Sequence, residues 1–305
     1  MDMYQKRKIR KEKRENSNQN EKFHKVVLNW FPGHMTKAMR LIEENIKIVD
    51  AVIYVLDSRA VSACINPSFS DVIKNKPIVY VLNKADLVEE SDLKKWCAYF
   101  DEKGFAYVTS NSANGKDNAK ILKKLLCVLD DKIKRYREKG VNTPVRAMVI
   151  GIPNSGKSTL INSLCGGKRT ITGDRPGVTK AKQWLSVQKG VDMLDTPGTL
   201  WPKLDDQNAA MHLAFIGSIK DDVLNINEVA INLIDFLKTN KSGALTERYK
   251  ISSENAENIQ IFEEIAVKRG FVLRGGDYDY ERTARAIIDD FRKQKFGKVM
   301  LEYPV

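Results

Sequence analysis

The sequence has little of what marks a secreted, metal-stapled or membrane-embedded chain. Its four cysteines, Cys64, Cys97, Cys127 and Cys165, are scattered with no Cys-x-x-Cys pair. That argues against a disulfide framework or a thiolate zinc site and fits a reducing cytosol. No apolar run approaches the ~18 residues that a spanning helix needs. The N-terminus has neither the apolar stretch of a secretory signal nor the Arg- and Ser-rich, acid-poor character of a transit peptide, so it is expected to stay in the mature protein. Acidic residues are the scarcer sign. There are 39 Asp and Glu against 51 Lys and Arg, a net charge of +12 over 305 residues, which favours a polyanionic partner such as nucleic acid. At 42% hydrophobic and 30% charged residues the chain is globular, and its length suggests two domains.

Lys6, Arg7, Lys8, Arg10, Lys11, Lys13 and Arg14 stand against Asp2 and Glu12, and a polar run from Asn16 to Asn20 follows. Residues 1–22 therefore read as a disordered basic arm, either a tail that seeks phosphates and gains order on RNA or a solvated, solubilising end. From residue 46 onward, short β-rich runs alternate with helical patterns. Residues 51–56, 78–82, 106–109, 146–150, 183–187 and 191–194 read as six buried strands, and most of them belong to a parallel sheet. Leu93, Trp96, Cys97 and Phe100, then Ile121, Leu122, Leu125, Leu126 and Leu129, recur at the spacing of crossover helices. After about residue 206 the β signal fades. Val229, Leu233, Phe236 and Leu237, then Ile259, Phe262, Ile265 and Ala266, then Ala284, Ile287, Ile288 and Phe291 predict a helical region. The fold class is α/β, a doubly wound, mostly parallel six-stranded sheet over residues 23–205, followed by a small all-helical domain over residues 206–305.

Gly151-Ile152-Pro153-Asn154-Ser155-Gly156-Lys157-Ser158 matches GxxxxGK[ST] between a predicted strand and a predicted helix, and Thr159 continues the first turn. In such a loop, backbone N–H groups wrap a phosphate chain, Lys157 reaches the β/γ-phosphates and Ser158 ligates Mg²⁺. Asp195-Thr196-Pro197-Gly198 closes a later strand; Asp195 is suited to hold the Mg²⁺ shell and the Gly198 amide to sense a γ-phosphate. Between them, residues 173–179 are polar and glycine-rich and suit a mobile loop. Thr179, rather than Thr170 or Thr172, is expected to complete the Mg²⁺ shell because it follows the Pro-Gly turn just before the next strand. Asn83-Lys84-Ala85-Asp86 selects the base. A carboxylate at Asp86 accepts from N1–H and the exocyclic amine of guanine, whereas adenine presents an acceptor at N1. That disfavours a P-loop kinase or ATPase. Lys84 is expected along the base face, Asn83 as a tie between loops, and Ser112-Ala113 as a backbone donor for the guanine carbonyl.

The base-reading segments precede the phosphate loop, so the nucleotide fold is circularly permuted. This order, together with Trp30-Phe31-Pro32-Gly33-His34-Met35 before the first strand and Asp57-Ser58-Arg59 at its end, resembles the YlqF/YawG family of circularly permuted GTPases. The resemblance covers roughly residues 25–300, and its helical tail matches in layout only. It implies a GTPase, with GTP/GDP and Mg²⁺, that assists late maturation of the large ribosomal subunit. Such a protein binds the subunit precursor and its rRNA in the GTP state and is stimulated by it, and its C-terminal module is a helical, ANTAR-like RNA-binding one. A cytoplasmic protein with no membrane partner, monomeric when free, is expected.

The Gln that orients water in Ras-like GTPases is missing, since Thr199 and Leu200 follow Gly198. Intrinsic hydrolysis is therefore expected to be slow, and His34 is the leading candidate to orient the water. Asn154 resembles the asparagine by which several GTPases recruit K⁺. Arg282, Arg285, Arg292, Lys293 and Lys295 lie on or just after the last helical pattern, placed to grip rRNA phosphates. Residues 241–305 nevertheless hold twelve Lys and Arg against eleven acids, so a plain solvated face competes with that reading. Asp57 and Arg59 are either a functional pair lining the site or a strand-end salt bridge.

Overall fold

The computed structural model describes residues 33–140, 143–167, 183–201, 204, 206–252 and 254–305. The basic arm, Trp30 to Pro32 and the 173–179 loop with Thr179 lie outside the described residues, as does the side chain of His34. In chain order the elements are α1 (Gly33–Asn45), β1 (Ala51–Asp57), α2 (Ser70–Ile73), β2 (Ile78–Asn83), α3 (Glu90–Glu102), β3 (Ala106–Thr109), α4 (Asn118–Val128), α5 (Asp130–Glu138), β4 (Val145–Ile150), α6 (Lys157–Leu164), β5 (Gln183–Gln188) and β6 (Val191–Asp195). The helices α7 (Gln207–Phe215), α8 (Ile226–Asn240), α9 (Ala244–Tyr249), α10 (Asn258–Lys268) and α11 (Tyr280–Arg292) follow.

The sheet order is β3-β2-β1-β4-β6-β5, with all neighbours parallel except the β5–β6 hairpin at one edge. β1 sits at the centre, and all seven of its residues are buried. It pairs with β2 in the register Asp57↔Asn83 and with β4 in the register Ile53↔Val149. The chain therefore runs outward from β1 to β3, returns to the middle at β4, passes to the opposite edge at β5 and comes back inward to β6. The crevice where the order reverses, beyond the carboxyl ends of β1 and β4, is where doubly wound sheets bind ligands.

Because successive side chains of a strand point to opposite faces, the sheet builds two cores. Ile53, Val55, Val81 and Val149 pack with Ile121 and Leu125 of α4 and Leu160 and Ile161 of α6. Tyr54, Leu56, Met148 and Ile150 face the other way, into a larger core that takes in Trp96 and Phe100 of α3 and runs on through Leu213, Leu233, Phe262, Ile287 and Phe291 of the C-terminal helices. Those helices begin where side chains accept the free backbone N–H groups of a first turn: Asp206 from Asn208 and Ala209, Asn225 from Glu228, and Asp279 from Arg282. Glu257 and Gln260 form a reciprocal capping box on α10. No described helix is long and apolar enough to cross a membrane.

The residues after α11 double back onto the first half of the chain. Val299 N–H donates to the Leu87 carbonyl at 3.2 Å and Leu301 N–H to the Arg59 carbonyl at 2.8 Å. Glu302 accepts from the Ala63 N–H through its side chain, at 2.9 Å, and from the Trp96 indole through its carbonyl, at 3.2 Å. Trp96 therefore joins the sheet core to this strap. Trp96→Ala is expected to cost about 3–5 kcal/mol, the range for truncating a buried aromatic, read as a lowered midpoint in urea, while Trp96→Phe keeps most of that stability.

Candidate functional site

The phosphate loop leaves β4 and enters α6, so its backbone lies at the crevice. Gly156 has φ +97°, and a Cβ there would meet the Asn83 Nδ2 at 2.2 Å. Gly198, after β6, approaches so closely that a Cβ would stand 2.7 Å from the Pro153 backbone and 2.8 Å from Lys157 Nζ. Both glycines therefore serve close backbone approach. Lys157 is buried and donates to the Ile152 carbonyl at 2.7 Å. Burial pushes its ammonium down to about 8, with the Asp195 carboxylate opposing the shift. Ser158 Oγ donates to Asp195 Oδ2 at 3.2 Å, and Asp195 Oδ1 is buried with no hydrogen-bond partner among the described residues. Burial also raises the Asp195 carboxyl, against the pull of Lys157. A hydroxyl facing a carboxylate that has an unpaired buried oxygen fits a hard divalent cation. Ser155 is fully buried and donates to the Ile152 carbonyl at 3.1 Å, and Thr159 lies in the first turn of α6.

The base-reading end is tied to this loop by Asn83. Its Nδ2 donates to the Ser155 carbonyl at 2.8 Å, and its Oδ1 accepts from the Ser112 N–H at 3.0 Å and the Ser112 Oγ at 2.7 Å. Lys84 has φ +57° and reaches the Asn154 carbonyl at 2.7 Å and Asp57 Oδ2 at 2.9 Å. Asp86 is exposed, and its backbone carbonyl accepts from Gln294 Nε2 at 3.2 Å. The Ser112 and Ala113 amides, expected as donors to a guanine carbonyl, are both engaged within the protein. The Ser112 N–H donates to Asn83 Oδ1, and the Ala113 N–H to Asn111 Oδ1 at 3.0 Å. Thr199 and Leu200, where a water-orienting glutamine is absent, are fully buried.

Sequence reasoning missed a joint between the phosphate loop and the helical region. Asn154 Nδ2 donates to the Gly217 carbonyl at 2.7 Å, and Ser218 Oγ donates to the Pro153 carbonyl at 2.9 Å. Arg292, expected on the RNA face, is turned inward to the same turn. Its Nε and Nη2 donate to the Phe215 and Ala214 carbonyls, and its fork pairs with Asp221 at 2.8 and 2.9 Å. Carbonyls in the last turn of a helix carry partial negative charge and favour a cation; Ala214 also accepts from the Gly217 N–H at 3.1 Å, and Arg292 adds to it, so this side chain is spent inside the fold. Of the other basic residues, Arg282 stacks on the Phe271 ring at 4.4 Å, Arg285 pairs with Glu281, Lys293 pairs with Asp289, and Lys295 is exposed.

The depressed Lys157 ammonium has a measurable consequence. An anion bound beside it raises its proton affinity, so guanine-nucleotide binding takes up a proton once the pH passes about 8, and affinity falls as pH rises further, by about tenfold per unit at the limit. Titration calorimetry at pH 8.5 in buffers of different ionisation heat is expected to show that uptake. Lys157→Arg, whose guanidinium stays protonated, is expected to abolish it.

A model of the family described as a 50S ribosome-binding GTPase matches residues 146–268. The ribosome biogenesis GTPase A of Bacillus licheniformis is 41% identical over 280 residues, which cover 92% of this chain and 99% of that protein. The mitochondrial ribosome-associated GTPase 1 of Mus musculus is 31% identical over 297 residues, 90% of each chain. Among solved structures, GNP-bound YlqF from T. maritima gives a TM-score of 0.63 at 28% identity, covering 88% of this chain and 98% of that one. Identity of this extent agrees with the permuted order of the sheet, and the chain belongs to the circularly permuted ribosome biogenesis GTPases of the YlqF type.

Proposed function

We propose that this chain is a cytoplasmic, monomeric assembly factor for late maturation of the large ribosomal subunit. It binds the precursor and its rRNA in the GTP state, hydrolyses GTP to GDP and phosphate slowly when alone and faster on the particle, and leaves after hydrolysis. The observation that carries the reading is the joining of the base-reading segment to the phosphate loop at the carboxyl ends of the central strands, by Asn83 to Ser155 and Ser112 and by Lys84 to Asn154, in a loop where Ser158 faces Asp195. The working division is a basic arm at 1–22, the GTPase domain at 23–205 and an RNA-binding helical domain at 206–305.

Asp86 reads the N1–H and exocyclic amine of guanine, and the Ala113 amide turns from Asn111 to the guanine carbonyl. Backbone N–H groups of Ser155, Gly156, Lys157, Ser158 and Thr159, at the start of α6, cradle the phosphates with Lys157. Ser158, Asp195 and Thr179 would hold Mg²⁺, which would supply positive charge where negative charge develops on the phosphates. The Gly198 amide senses the γ-phosphate, and His34 orients the attacking water. The amide oxygen of Asn154, on the branch opposite the nitrogen held by Gly217, is the atom that would meet K⁺. Arg282, Arg285, Lys293 and Lys295, together with the basic arm, face rRNA phosphates.

GTP turnover with and without large ribosomal subunits, in K⁺ and in Na⁺ and with ATP as the control, tests the reading. Subunits are expected to stimulate GTP turnover alone, and K⁺ to support it better than Na⁺; protein that neither associates with subunits nor responds to them overturns the ribosomal assignment. Asp86→Asn removes an acceptor for two guanine donors and is expected to weaken GDP binding by about 2–4 kcal/mol in equilibrium titration.

A further inference from the structure

One buried carboxylate at the crevice has no part in the chemistry above. Asp57 ends β1 and is fully buried, and its two oxygens take four bonds. Oδ1 accepts from the Arg59 N–H at 3.1 Å and Nε at 2.9 Å, and Oδ2 accepts from Arg59 Nη2 at 2.8 Å and Lys84 Nζ at 2.9 Å. Burial would raise this carboxyl, but the two cations hold it well below the usual range, so it stays an anion. A strand-end salt bridge needs only Arg59. The second cation belongs to the base-reading loop.

Arg59 fixes the direction in which the carboxylate faces. Its planar fork engages both oxygens, which sets the plane of the group. The arginine is itself held: its side chain is 5% exposed, its guanidinium lies 5.7 Å from the centroid of the Phe291 ring, and its carbonyl takes the Leu301 N–H. Lys84 is then constrained at both ends. Its backbone sits in the left-handed region, and its Nζ is shared between Asp57 and the Asn154 carbonyl of the phosphate loop. A lysine stem has rotamer freedom to lose on binding, and one already fixed loses less.

We infer that Asp57 is a positioning residue for base binding: by pinning Lys84 Nζ it holds the lysine stem as a preformed rail for the guanine plane, without touching the nucleotide. This rests on the reading that Lys84 lies along the base.

The test is equilibrium binding of fluorescent N-methylanthraniloyl-GDP to the full chain. Asp57→Asn alone strands the Arg59 cation, so Asp57→Asn is combined with Arg59→Met, which keeps that part of the interior neutral. The pair and Lys84→Met are each expected to weaken GDP binding about tenfold, and the triple variant no further than Lys84→Met, because all three remove one interaction. Inorganic pyrophosphate, which uses the phosphate loop without a base, is expected to compete equally well for wild type and for the paired variant. Effects that multiply to about a hundredfold in the triple variant, or an equal loss for pyrophosphate, would show that Asp57 merely supports the sheet edge and would overturn the inference. Full GDP affinity in Lys84→Met would instead remove the base-face reading of Lys84, and this inference with it.

Discussion

A single buried carboxamide, that of Asn83, holds together loops that follow β2, β3 and β4. It does so because an amide both donates and accepts: the Ser155 carbonyl needs a donor, while the Ser112 N–H and hydroxyl need an acceptor. An aspartate there would set a carboxylate oxygen against the Ser155 carbonyl, and a leucine would leave buried polar groups unpaired. The same contact explains the glycine at 156, because the carboxamide occupies the space that a Cβ would fill. Base reading and phosphate reading are thus mechanically one site, although the residues responsible lie 72 apart in sequence.

Permutation is tolerated because the sheet fixes neighbours by hydrogen bonding and not by chain order. β1 lies beside β4 in parallel register although β2 and β3 intervene in sequence. What the order changes is which parts of the chain are free to be linked to the helices. The phosphate loop meets the Gly217–Ser218 turn directly, and that turn is clamped by Arg292 at the end of α11. A continuous chain of hydrogen bonds thus links the phosphate loop to the end of α11, the helix that also carries Arg282 and Arg285 on its exposed side.

The central strands were legible because a strand buried on both faces writes a short run of β-branched and aromatic residues, and all six runs became strands within a residue of the expected limits, although the edge strands β3 and β5, expected to be buried, bury only Val108 and Leu185 among their described side chains. The phosphate and base loops were legible because their chemistry demands particular residue types at fixed spacing. Contacts between distant loops were not. An apolar stripe announces that a helix is buried but not against what, so α8 and α11 were expected as helices without any sign that their core continues into the sheet. Arg292 read as a surface cation because it lies off the apolar stripe of its helical pattern, and nothing local reveals that Asp221 and the Ala214 and Phe215 carbonyls face it. Asp57 and Arg59 could be paired from their spacing, yet the lysine that completes the group comes from the next strand.

The strap after α11 bears on how such a chain is made. Glu302 accepts a hydrogen bond from Ala63, 239 residues earlier, and Val299 and Leu301 close onto Leu87 and Arg59. During synthesis strands β1 to β4 can pair and the Asn83 tie can form once β4 and its loop have emerged, but the carbonyls of Leu87 and Arg59 still await these donors. The base-reading loop reaches its final packing only after nearly all of the sequence shown has left the ribosome that makes it. A chain made only as far as α11 therefore lacks the donors that close onto the carbonyls of Leu87, beside the base-reading segment, and Arg59, beside the Asp57 carboxylate.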